Sequence, residues 1–220
     1  DDAQAAAWFR LGIAQEGLAR HGDAVDSFKR ALKIDARNGD AWYHAGGSLY
    51  RLGRTDEALR AFDRAARLSP RDPRPWYNRG CILSEQGDFP AAVEAFDRAL
   101  EADPRFAAAL NNRGSALFVL GRYGEAEASF ERSLEIEPGN RDIIFKKGVA
   151  LRNLKKYDKA LAAFDEVLQA DPGFTDAQYH RGLVLDDLGR SEEAISAFSA
   201  VTETDPENLP ALFSTAATLN

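Results

Sequence analysis

The sequence predicts an all-α protein built from stacked antiparallel helix pairs. Three observations carry this: a self-similarity that returns every 34 residues, apolar residues at helical spacing in two bursts within each period, and a proline that closes the period. Sliding the chain against itself places Gly12, Gly46, Gly80, Gly114, Gly148 and Gly182 in one column. A second column holds Ala24, Ala58, Ala92, Ala126, Ala160 and Ala194, and a third Phe28, Phe62, Phe96, Phe130, Phe164 and Phe198. A fourth reads Ala36, Pro70, Pro104, Pro138, Pro172 and Pro206.

The repeats run 5–38, 39–72, 73–106, 107–140, 141–174 and 175–208 without insertion, and the whole chain, 1–220, reads as one array. The first repeat carries Trp8 and departs from proline at Ala36; the second carries Trp42 at the position of Trp8. In the third, Gly87-Asp88-Phe89-Pro90 marks the break between helices, with a glycine beyond one helix and an Asp and Pro placed to start the next. In the fourth, Leu110, Leu117 and Leu120 mark the first helix, Gly121-Arg122-Tyr123 the break, and Ala126, Phe130 and Leu134 the second helix. Pro138 then stops the chain, having no N–H with which to continue a helix. The fifth repeat has Ile144 at the Trp8 position and the sixth Gln178; residues 209–220, with Leu212, Ala216 and Leu219 on the expected positions, read either as a capping helix or as the partial first helix of a seventh repeat.

The columns have a physical task. Gly at the eighth position and Ala at the twentieth are expected to let two helix backbones approach, with the Phe four residues later filling the gap between pairs. A bulky side chain at either small position would overpack the site, at roughly 1–3 kcal/mol. One repeat cannot bury its apolar face alone, so each depends on its neighbours.

Composition narrows the function. The chain has 220 residues, 45% hydrophobic and 29% charged, with Lys+Arg 28 against Asp+Glu 35 for a net charge of −7. A general nucleic-acid binder needs a basic surface, which this balance does not supply. No apolar run reaches the ~18 residues of a membrane span. The single cysteine, Cys81, allows no intrachain disulfide framework, so disulfides do not diagnose a compartment. The sequence starts at Asp1 and contains no Met, as expected of a fragment or a processed form.

The pattern of a bulky residue, Gly four positions on, then Ala, Phe and Pro at fixed offsets resembles the tetratricopeptide repeat (TPR). That resemblance implies a right-handed superhelix and an interaction module, with the first helix of each pair lining an inner groove. The groove positions implied are two, five, six, nine, twelve and thirteen. Position five reads Phe9, Tyr43, Tyr77, Asn111, Phe145 and Tyr179, and position six Arg10, His44, Asn78, Asn112, Lys146 and His180. Arg74 at position two, Arg51 at thirteen and Arg152 at twelve make the surface modestly basic. The resulting candidate peptide groove comprises Tyr43, Arg74, Tyr77, Asn78, Asn111, Asn112, Phe145, Lys146, Arg152 and Tyr179. Asn can donate to and accept from a peptide bond, aromatic faces supply area, and Arg and Lys bind carboxylates. The aromatic residues of position five can equally be packing residues.

Asn78 and Asn112 look like two rungs of the asparagine ladder of the O-linked sugar transferase superhelix, broken by His44 and Lys146. The carboxylate clamp of chaperone-binding TPR proteins is not completed by any three successive repeats. At position seven, where the family often has Leu, stand Arg79, Arg113, Lys147 and Arg181; they either pair with helix-end acids such as Asp103, Glu137 and Asp171 or form an anion-binding stripe.

No catalytic residue, metal site or cofactor is expected. His21, His44 and His180 lack partners at metal-ligand spacing and read as surface residues. Cys81, beside the packing Gly80, reads as a small buried thiol. Asp186-Asp187 and Glu192-Glu193 read as a solvated acidic end. The sixth repeat carries a net charge of −6, the first two +2 and +1. Three functions follow: an adaptor for a protein or peptide partner, acidic in preference; a scaffold that self-associates head to tail, acidic end to basic end; or the interaction domain of a larger enzyme.

Overall fold

In the computed structural model residues 2–219 are described, and they form thirteen helices and no strand. The helices pair as α1 (Asp2–Gly17) with α2 (His21–Ile34), α3 (Gly39–Arg51) with α4 (Thr55–Leu68), α5 (Arg74–Glu85) with α6 (Phe89–Ala102), and α7 (Ala107–Val119) with α8 (Tyr123–Leu134). Then follow α9 (Arg141–Asn153) and α10 (Tyr157–Ala170), α11 (Thr175–Asp187) and α12 (Ser191–Thr204), and α13 (Leu209–Thr218). Each pair spans one 34-residue period. The chain divides into two compact units, residues 1–109 and 110–220.

Within the first unit α1 to α6 stack in order, and within the second α8 to α13 do the same. Odd helices also touch across repeats, α1 on α3, α9 on α11 and α11 on α13. The odd helices therefore line the tighter side of each stack.

The breaks inside the pairs share one backbone solution. Position fifteen is left-handed throughout, with φ of 72 to 80° at Gly53, Gly87, Gly121 and Gly189 and 57° at Ala19 and Lys155. Glycine takes this conformation without penalty, whereas a side chain there costs roughly 1–2 kcal/mol. Asp88 caps α6 as expected, accepting from the Ala91 N–H at 3.2 Å. Most other even helices start differently: Arg20, Arg54, Arg122 and Arg190 make no cap but reach an acid three residues on, as in Arg54 Nε to Glu57 Oε1 at 2.8 Å. These hydrogen bonds hold Glu57, Glu125 and Glu193 below the usual carboxylate range. Asn38, Asn140 and Asn208 cap α3, α9 and α13 from the side chain. Leu120, expected in the first helix of its repeat, falls just past the end of α7.

The alanine and phenylalanine columns are the core. All six alanines are fully buried, and no column phenylalanine exceeds 2% exposure. The glycine column corrects the expected packing. A Cβ built at Gly12, Gly46, Gly80, Gly114, Gly148 or Gly182 would lie 2.5 to 2.9 Å from the column Phe ring of the same repeat. Glycine is therefore required because a ring lies on it, rather than because two backbones meet there. The rings also reach the next repeat where the sequence allows: Phe28 stacks on His44 with centroids 5.9 Å apart.

The cations of position seven pair with acids in the middle of the preceding even helix, and not with the helix-end acids expected. Arg79 lies 2.9 Å from Asp63, Lys147 3.0 Å from Glu131 and Arg181 2.6 Å from Asp165. Arg113 donates to Ser129 Oγ at 2.6 Å. The acid partners lie 16 residues upstream, one helix and one loop back, whereas Ser129 lies 16 residues downstream, in α8 of the same repeat.

Candidate functional site

Along the odd helices, position five of one repeat meets position six of the next. In the first unit the ring of Phe9 packs edge-on against His44 at 5.9 Å, and Asn78 Nδ2 donates to the Tyr43 hydroxyl at 3.4 Å. In the second unit Lys146 Nζ donates to Asn111 Oδ1 at 3.1 Å, Phe145 packs edge-on against His180 at 5.3 Å, and Tyr179 Oη lies 3.3 Å from Ser214 Oγ. Every one of these pairs is 35 residues apart, one more than the repeat. A second row runs from position twelve to position thirteen, in Tyr50 to Glu85 and in Arg152 Nε to Asp187 at 2.7 Å. The Glu85 hydrogen bond raises the Tyr50 phenol above its usual range, burial adding to it.

The aromatic residues of position five both pack and line the surface. Phe9, Tyr43, Tyr77, Phe145 and Tyr179 are half-buried, and each rests tilted on the column Phe of its own repeat at 5.7 to 6.0 Å. Asn78, Asn111, Asn112 and Lys146 are half-buried as well. Asn78 belongs to the first unit and Asn112 to the second.

The two arginines expected to favour an acidic ligand already hold acids of this chain. Arg74 lies 2.7 Å from Asp72 and 3.2 Å from Asp40, with its guanidinium 4.6 Å from the Tyr43 ring centroid. Burial pushes the Asp72 carboxyl up, but the hydrogen bonds from Arg74 outweigh it and hold Asp72 below its ordinary value. Arg152 is matched by Asp187, so this member of the acidic pairs 186–187 is engaged rather than merely solvated; Glu193 is likewise held by Arg190. Lys146, by contrast, donates to a neutral amide oxygen.

The histidines are not the surface residues expected. His44 is half-buried between Phe9, Phe28 and Tyr43, with Nδ1 2.8 Å from Glu16. His180 lies among Phe145, Phe164 and Tyr179, and its Nδ1 is buried without a hydrogen-bond partner. Desolvation lowers its pKa, Arg152 lowers it further and Asp176 opposes. His21 is half-buried, and its Nδ1 also lacks a partner. Cys81 is half-buried rather than buried. It lines a pocket of about 180 Å³ on the odd-helix side of the first unit, with Asn78, Arg51, Tyr50 and Glu85. Sequence reading missed Glu16, Tyr50, Glu85 and Ser214, and the pairing of Asp187 with Arg152; a slide of 35 residues instead of 34 would have exposed most of these pairs.

Helix pairs of fixed length whose odd helices present a row of half-exposed amide, aromatic and cationic side chains define a repeat protein for protein interaction. The family profile described as tetratricopeptide repeat matches residues 9–73, 77–141 and 145–208. The chain belongs to the tetratricopeptide repeat family. A search of the curated proteins finds no match. Among solved structures it is similar to YrrB, described as a TPR protein with an unusual peptide-binding site, with a TM-score of 0.82 and 22% identity over 87% of this chain and 99% of that one. It is also similar to MamA from Desulfovibrio magneticus RS-1, with a TM-score of 0.71 and 24% identity over 78% and 97%. PilF of Pseudomonas aeruginosa gives 0.73 and 18% identity over 98% of both chains. At these identities the likeness is one of fold. No described helix is long and apolar enough to cross a membrane.

Proposed function

We propose that this protein is a non-enzymatic adaptor whose odd-helix face holds an extended peptide or partner segment. The observation that carries the reading is the Asn111–Lys146 pair in the second unit: a half-buried ammonium that donates to a neutral amide at 3.1 Å. A carboxylate on a peptide would replace that neutral partner with a charged one, a stronger hydrogen bond. Phe145 beside it offers an apolar edge, and Asn112 an amide suited to a peptide bond. In the first unit Asn78 and the pocket of about 180 Å³ beside it offer a separate place for a side chain. YrrB is described as having a peptide-binding site on this fold. Lys146, rather than Arg74 or Arg152, is the residue on which selection for an acidic ligand rests.

The test is to pan a display library of random peptides on the chain and on an Asn78→Ala/Asn112→Ala/Lys146→Ala variant. Peptides that bind the parent, share acidic residues and lose affinity for the variant support the reading. Peptides that bind both equally, or no enrichment at all, overturn it.

A further inference from the structure

The first unit has a second recess, away from the odd-helix face. Between α2, α3 and α4 lies an open cleft of about 470 Å³. Its walls are apolar, formed chiefly by Val25, Leu32, Trp42 and Leu49. Its rim is basic: Lys29, Lys33, Arg60 and Arg64 all border it and all are exposed. Glu57, the acid on the rim, is held by Arg54 at 2.8 Å. Lys33, Arg60 and Arg64 make no ion pair or hydrogen bond among the described residues.

Of the comparable clefts elsewhere, one is electrostatically settled and one is less basic than the Trp42 cleft. In the second unit, the cleft beside Ile144 is bordered by Lys147 and Lys159 and by Glu131 and Glu166, with Lys147 on Glu131 at 3.0 Å. The one beside Trp76, in the first unit, carries Arg98 paired with Glu101 at 3.0 Å and two exposed arginines, Arg67 and Arg71, against the four cations of the Trp42 cleft. The Trp42 cleft combines apolar walls with unneutralised positive charge, so its occupant must be both apolar and acidic.

The chain carries a segment of that chemistry. Helix α13 exposes Leu209 at 60%, Leu212 at 45% and Phe213 at 71%. These positions, three and four apart, form one stripe. Exposed Glu203 and Glu207 precede the stripe and make no ion pair among the described residues. Large exposed apolar stripes of this kind mark interaction sites.

We propose that the Trp42 cleft binds the Glu203–Phe213 segment of a second copy of this chain. The large side chains of Leu212 and Phe213 enter against Trp42 and Leu32, while Glu203 and Glu207 face Lys33, Arg60 and Arg64. The two surfaces are different, so the contact is heterologous: each copy offers a free cleft and a free segment, and association continues beyond two. Exposed charge pairs are screened by salt, so association weakens as ionic strength rises.

The experiment is sedimentation of the full chain over a range of concentrations at low and high salt. It is run beside a cleft variant, Lys33→Glu/Arg64→Glu, and a segment variant, Leu212→Ser/Phe213→Ser. All the substituted residues are exposed, and circular dichroism checks that helix content is kept. The parent is expected to form dimers and longer species at low salt, each variant alone to stay monomeric, and a mixture of the two to form a dimer and stop there. A monomeric parent overturns the proposal, as does a variant that still associates or a mixture that remains monomeric. A variant with altered helix content is replaced by Arg60→Glu or Phe213→Ala alone, each expected to lower association at least tenfold.

Discussion

Lys146 Nζ donates to Asn111 Oδ1 at 3.1 Å, 35 residues back. The same register joins Tyr43 to Asn78 and Tyr179 to Ser214, so this seam between repeats belongs to the stack and not to one site. Lys146 differs in bringing a full charge to it. A hydrogen bond to a charged group is worth about 1.5–3 kcal/mol. Lys146→Ala should therefore weaken binding of an acidic peptide about tenfold or more, while Asn78→Ala should have an effect that does not depend on the peptide's charge. Fluorescence anisotropy with a peptide selected on the parent, and its Asp→Asn counterpart, measures both.

Gly148, in the packing column, and Gly124, outside it and in right-handed helix, should respond in opposite ways to alanine. At Gly148 a Cβ would meet Phe164 at 2.7 Å. Gly148→Ala should cost roughly 1–3 kcal/mol by overpacking, overriding the ~1 kcal/mol that alanine gains in helix propensity. At Gly124, in the first turn of α8, a Cβ meets nothing within 4 Å, so Gly124→Ala should be neutral or stabilising. Urea denaturation separates the two.

Lys155 occupies a left-handed turn, φ 57°, at the position where four other repeats have glycine. Lys155→Gly should stabilise the second unit by up to about 1 kcal/mol, since the relief of side-chain strain exceeds the added chain entropy. Thermal unfolding reads this directly. A loss of stability would mean that Lys155 makes a compensating interaction.

Glu127 is 8% exposed and receives Lys156 Nζ at 2.6 Å. Lys156→Met strands a buried carboxylate and should cost about 1–3 kcal/mol. Glu127→Gln should cost less, because its amide can still accept from the ammonium. If the two variants unfold at the same urea concentration, the buried charge is being met by water.

His180 should make stability depend on pH. Its pKa is depressed in the fold, chiefly by burial and secondarily by Arg152, with Asp176 opposing. In the unfolded chain it titrates near the usual value of about 6.5, so below that pH the unfolded state binds the extra proton. Stability from this residue is thus complete above about pH 6.5 and falls as pH drops toward the lower folded value. His180→Phe keeps a ring against Phe145 and Phe164 and removes the unpartnered Nδ1. It should raise stability at pH 7 and flatten its decline on acidification, which urea midpoints across that range will show.

The pairs, their length and their core were legible in the residue pattern, because packing in a repeat is local. Gly, Ala and Phe recur at intervals short enough for each helix pair to determine them, and the all-α class follows from that. The break at Gly87-Asp88 was legible for the same reason, since turn chemistry acts over a few residues. What each column does was less legible: only the coordinates show that glycine makes way for a ring rather than a backbone.

The surface was read in part. Positions five and six were picked out, but their mutual pairing was not, because it depends on how far one repeat is offset against the next. That offset turns a 34-residue period into 35-residue contacts. Charge suffered most. Arg74 and Arg152 look available in the sequence, yet stacking brings Asp40 and Asp187 against them. It likewise leads the position-seven cations to Asp63, Glu131 and Asp165 and encloses His180 in rings. Sequence by itself determined the fold of the repeating unit, since its contacts are short-range. Tertiary structure alone decided that Arg74, Arg152 and the position-seven cations Arg79, Lys147 and Arg181 are already paired, since Asp40, Asp187, Asp63, Glu131 and Asp165 come from the neighbouring repeat.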